Sequence, residues 1–285
     1  MAPVPQVLSP LSGTIPIVPQ VSPNAWQLLV YVGDNDYINP LSDEMLTNLE
    51  ANRFTVEPMN STSLVTILSS DSFMDVKAVL VTKAEEDRAV LQVLNKYAQR
   101  GGTVICALGF QASIQNDAIP EFFKRLGVPS WKAGGVSAPE TEFVKETTKK
   151  VSLSSPKASA NVAGNPLQTN ERKESNRHKK RPLFELMDRS VNPLPDMCRM
   201  RALQLQVAPL NEAIYFERPT KDDANHTKGI RAAVTFAHVQ KGWVGYIGEL
   251  DNGMATESIL QAMIGLSILG AQSETQAEPE DGPRE

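Results

Sequence analysis

A chain of 285 residues can hold one large α/β domain with extra segments, or two small domains, and its formal net charge of −5 gives no global case for nucleic-acid binding. Two cysteines, Cys106 and Cys198, are too few for a disulfide framework and favour a reducing compartment. No run approaches the ~18 apolar residues that span a bilayer, and the proline-broken start lacks the basic stretch of a signal peptide. These features point to a soluble cytoplasmic protein. Residues 1–24, rich in proline and polar side chains, are expected to form an extended arm. Gln27–Val32 is a buried-strand candidate, followed by the polar turn Gly33-Asp34-Asn35-Asp36. Ser42-Asp43-Glu44 then resembles a cap and first helical turn, with Met45, Leu46 and Leu49 on one face. Phe54–Glu57 gives a weak second strand and Val76–Thr82 a strong third.

The next helix is well marked. Ala89, Val90, Val93, Leu94, Tyr97 and Ala98 recur at helical spacing. Glu85, Glu86 and Asp87 lie at its start and Lys96 and Arg100 at its end, as the helix dipole favours. Gly101 or Gly102 can close it in the left-handed conformation. Thr103–Ala107 is a short, almost wholly apolar strand, and Cys106 falls where that strand gives way to the following helix. Many α/β enzymes present a nucleophile there, and a helix N-terminus close by would favour a thiolate.

From about Ser137 to Arg181 the periodic signal stops, and a disordered insertion is expected over 137–190. Within it, Arg172-Lys173 and Arg177–Arg181 form a basic cluster. It reads as a solvated charge run, or alternatively as a nuclear-import signal or anion-binding patch. Order returns at Leu194. Ala202–Val207, Ala213–Glu217, Ala232–His238 and Trp243–Ile247 read as strands, and Thr256–Leu269 as a final helix carrying Ile259, Leu260, Met263, Ile264 and Ile268. The acidic residues 272–285 form a tail. Strands alternating with helices argue for a parallel sheet covered on both faces.

Three segments carry a family resemblance. The first is the Gly101-Gly102 turn leading to Ile105-Cys106-Ala107 and Ala112-Ser113. The second runs from Leu194-Pro195 through Arg201-Ala202-Leu203 to Ala213-Ile214-Tyr215. The third, and most specific, is Gly242-Trp243-Val244-Gly245-Tyr246-Ile247-Gly248-Glu249-Leu250-Asp251-Asn252. Together they resemble the N-terminal domain of eukaryotic biotin protein ligases and related stand-alone fungal proteins, a class I glutamine-amidotransferase-like group, over roughly residues 26–270. The resemblance implies a flavodoxin-like α/β domain with a mostly parallel sheet, split into halves at 25–136 and 191–271. The ligase's catalytic domain and its G-R-G-R-x-G-type loop are missing, so biotinylation is not expected.

Two registers compete at the elbow. In one, Cys106 falls on the family's cysteine. In the other, Leu108-Gly109-Phe110-Gln111 matches the amidotransferase L-G-H-Q and Ala107 takes the nucleophile's place. Val104 and Leu108 are bulky where such an elbow needs small residues. A cysteine hydrolase also needs a base. His178 and His226 fall in polar stretches, which leaves His238 at a strand end, but without the H-x-E spacing. Glu249 could orient that histidine, and Asp251 could bind a substrate amine or merely start a turn before the last helix. Gly33, Asp34 and Asn35 end the first strand, where open parallel sheets build ligand sites. Cys198 is expected to pack. No Walker loop, dinucleotide fingerprint or metal-ligand spacing is present, so no cofactor or metal is expected.

The expectation is therefore an amidotransferase-like module whose crevice binds a small molecule or a protein partner without catalysis. The alternative is a cysteine-dependent hydrolase or amidotransferase acting on a C–N bond, with Cys106 as nucleophile, His238 as base and Glu249 as its orienter. A nuclear adaptor working through Arg172–Arg181 is a third reading.

Overall fold

The computed structural model describes residues 26–34, 41–51, 53–85, 87–145, 194–207, 209–218, 229–251 and 256–265. The expected arm (1–24), most of the expected insertion, the basic cluster Arg172–Arg181, Asn35 and the acidic tail lie outside the described residues.

In chain order the elements are β1 (Trp26–Tyr31), α1 (Asp43–Ala51), β2 (Phe54–Met59), α2 (Ser61–Ser69), β3 (Val76–Val81), α3 (Arg88–Gln99) and β4 (Thr103–Cys106). Then follow α4 (Phe110–Ser113), α5 (Ile119–Arg125), β5 (Lys132–Val136), β6 (Thr141–Lys145), β7 (Met197–Met200), β8 (Leu203–Val207), β9 (Ala213–Glu217), β10 (Ile230–Val239) and β11 (Gly242–Ile247). A last helix, α6, covers 256–265.

Local chemistry accounts for the helices. The Ser42 hydroxyl accepts from the Met45 N–H at 3.1 Å and starts α1, which buries Met45 and Leu49. The Asp87 carboxylate accepts from the Ala89 N–H at 2.7 Å and starts α3. That helix buries Val90, Leu91, Leu94 and Tyr97. Burial of four large side chains at roughly 1.5–3 kcal/mol each outweighs the ~1 kcal/mol of its cap, so packing holds α3 in place. Gly101, at φ +114°, then turns the chain into β4.

The strands form one mixed sheet in the order β2-β1-β3-β4-β11-β10-β9-β6-β7, with β8 joining β10 to β5. Its first part is parallel, as expected: β1 pairs with β2 and β3, and β4 with β3 and β11. The remainder is antiparallel, which corrects the expectation of a mostly parallel sheet. The reason is connection length. Only Gln240 and Lys241 separate β10 from β11, too short for the crossover a parallel pair requires. Order also extends past the expected start of the insertion at 137, because β6 pairs there with β7 and β9.

Helices cover both faces. α1 and α6 pack with Leu28, Val30, Leu80, Ile105 and Phe236 on one face. On the other, α2, α3, α4 and α5 pack with Tyr31, Val79, Val81, Val104 and Cys106. The parallel strands aim their carboxyl ends at a single edge, formed by the loops after Tyr31, Met59, Val81 and Cys106.

Candidate ligand site at the carboxyl edge of the sheet

The elbow after β4 is built from Ala107, Leu108 and Gly109. Leu108 has φ +52° and Gly109 φ +102°. A side-chain-bearing residue in the left-handed region costs about 1–2 kcal/mol, so surrounding structure must impose it. Much of that structure is Gln111, which is buried. Its Oε1 accepts from the Gly109 N–H at 3.1 Å, and its Nε2 donates to the carbonyls of Ile247 and, at 2.9 Å, Glu249. Thus the residue in the strained elbow conformation is a leucine, not Cys106 or Ala107.

Cys106 does not occupy an activated position. It is 0% exposed, within the apolar cluster against α3, α4 and α5. Burial pushes its thiol well above the ordinary range. The helix that follows starts only at Phe110 and is four residues long, so it supplies little field to a thiolate. This corrects the expectation of a thiol at a helix N-terminus.

His238 is placed away from Cys106. It stands opposite Trp243, which stands opposite Thr103, whereas Cys106 stands opposite Tyr246. The two residues are therefore two strands apart and offset by three residues, roughly 14 Å in all. His238 packs edge-on against Trp243 at 4.8 Å, and Trp243 belongs to the face opposite Cys106. The pairing of this base with this nucleophile is corrected.

Glu249 lies past the end of β11. It is 5% exposed and accepts from the Thr256 hydroxyl at the start of α6. Burial and the Glu249 charge together push the Cys198 thiol up to about 12. Cys198 packs in the α1/α6 cluster, as expected. Glu249 therefore orients neither His238 nor Cys106. Asp251 is exposed at the following bend, and residues 252–255 lie outside the described residues. The chain around Glu249 is fastened to β8 and β10: Leu203 donates to the Gly248 carbonyl at 2.8 Å, and Gly248 to Ala233 at 2.7 Å.

The open part of the edge lies between β1 and β3, where the strand order reverses and an α/β sheet leaves a crevice. Gly33 (φ +80°) and Asp34 follow β1 there. Asp34 Oδ1 accepts from the Ser61 N–H at 2.8 Å at the start of α2, which holds its carboxyl below the ordinary range. Tyr31 joins the network from below. Its ring is buried, and its hydroxyl meets Ser61 Oγ at 3.0 Å and donates to Glu85. Burial, then the Glu85 carboxylate, push the Tyr31 phenol far above its ordinary range, so it remains a donor. Glu85 in turn accepts from the Asp87 N–H at 2.9 Å.

Beside Glu85 opens a cleft of about 500 Å³ between α3, α4 and α5. Leu91, Ile114, Ala118 and Phe122 supply apolar wall, and Glu85, Ser113, Gln115, Glu121 and Arg125 supply polar groups. Sequence reasoning missed Tyr31, Ser61, Glu85 and Gln111. Tyr31 carried no signal inside its apolar strand, whereas Gln111 stood in the matched Leu-Gly-Phe-Gln segment. Among the described residues no three His, Cys, Asp or Glu side chains come together as a metal site would need, and no helix is long and apolar enough to cross a membrane.

No protein-family model and no curated protein matches the sequence. Among solved structures, a putative ThuA-like protein from Bacteroides uniformis is similar at 13% identity and TM-score 0.44, over 93% of this chain and 97% of its own. A cytoplasmic protein of Salmonella typhimurium gives 9% identity and TM-score 0.41, over 86% and 98%. An exo-β-1,4-mannosidase from an Opitutaceae bacterium gives 10% and 0.38, and this chain covers 89% of itself but only 34% of the mannosidase.

Proposed function

We propose that the chain is a flavodoxin-like, glutamine-amidotransferase-like module that binds a small ligand or a partner at the carboxyl edge of its sheet without catalysing a reaction. The observation that carries this reading is the elbow. Its strained left-handed position holds Leu108, and the neighbouring thiol of Cys106 is closed inside an apolar cluster. Nucleophilic catalysis needs a thiolate with a base in reach, and His238 stands on the opposite face. What lies at the edge is a set of hydrogen-bonding groups, Asp34, Ser61, Tyr31 and Glu85, held by one another and by backbone N–H groups. Preorganised polar groups beside apolar wall suit binding.

The deciding experiment is iodoacetamide labelling across pH, with peptide mapping to separate Cys106 from Cys198. Cys106 should label only under conditions that unfold the protein. Rapid native labelling with an apparent pKa well below the ~8.5 of a free thiol would overturn the reading in favour of a cysteine hydrolase.

A further inference from the structure

We draw no further inference here: the strongest candidate, the cleft of about 500 Å³ between α3, α4 and α5, carries nothing because Arg125 already pairs with Glu121, Glu85 is already held by the Tyr31 hydroxyl and the Asp87 N–H, and nothing in the structure shows what would fill it.

Discussion

Gln111 donates from Nε2 to the Glu249 carbonyl at 2.9 Å, tying the first turn after β4 to the loop after β11. The same amide nitrogen serves the Ile247 carbonyl, and Oε1 serves the Gly109 N–H. One buried side chain thus satisfies three backbone groups from segments 136 and 138 positions apart. Gln111→Met keeps the bulk and removes all three bonds. The expected cost is about 2–3 kcal/mol, because buried groups left unpaired carry their desolvation penalty. Urea unfolding should show a lower midpoint at unchanged slope.

The glycines of the β11 segment differ from the helix-closing glycine in what they permit. A Cβ at Gly248 would overlap the Leu203 carbonyl oxygen, a backbone atom held in the β8 contact. A Cβ at Gly101 meets nothing within 4 Å, and the only obstacle there is φ +114°. Gly248→Ala should therefore cost about 3 kcal/mol or more, and Gly101→Ala about 1 kcal/mol. Thermal unfolding of the two single variants ranks them directly.

Much of the fold was legible because period and punctuation agreed. The α3 stripe, its Asp87 cap, Gly101 and the apolar β4 all lie where the sequence indicates. The misses have physical causes. α2 reads Ser-Thr-Ser-Leu-Val-Thr-Ile-Leu-Ser, low in helix formers, and forms because Asn60 caps it and Leu64 and Leu68 are buried. β5 carries two glycines, and at one of them, Gly134, a Cβ would press on the Gln204 backbone. β7 is only four residues with alternating burial. The site was legible in part. Gly33 and Asp34 could be placed from the turn after an apolar strand, whereas the Tyr31–Glu85 contact joins residues 54 apart and no local pattern encodes it. Cys106 misled because a residue type with reactive chemistry sat at a strand end, and only packing shows which face it points to.

Several buried hydroxyls and thiols set the response to alkali. Burial raises Tyr31, Tyr97, Tyr246 and Cys106 above their ordinary values. A raised folded-state pKa means the native chain keeps a proton that the unfolded chain loses, so stability falls as pH rises past the unfolded value. The fall should begin near pH 8.5, where a free thiol titrates, and steepen above about 10, where free tyrosines do. Cys106→Ala should reduce the slope below pH 10 without abolishing it, because the Cys198 thiol is also raised and still contributes. An unchanged slope in that variant would mean the thiol does not titrate from a buried state.

Two carboxyls should respond to acid with opposite signs. Glu212 is raised by burial, against which the Trp131 indole N–H at 2.7 Å and Ser130 at 3.3 Å only partly compensate. Its ionised form is therefore a burden on the native state at neutral pH, relieved as the carboxyl protonates. Glu212→Gln keeps an acceptor for Trp131, so it should raise Tm at pH 7 and have little effect near pH 3. Asp34 is lowered, first by the Ser61 N–H, so its contribution is present at neutral pH and lost as pH falls through its folded value. Asp34→Asn should lower Tm at pH 7, with the deficit vanishing near pH 3. Melting curves of both variants at the two pH values check the signs together. A Glu212→Gln gain that persisted at pH 3 would locate its cause in packing rather than in charge, and an Asp34→Asn deficit that persisted would do the same for the start of α2.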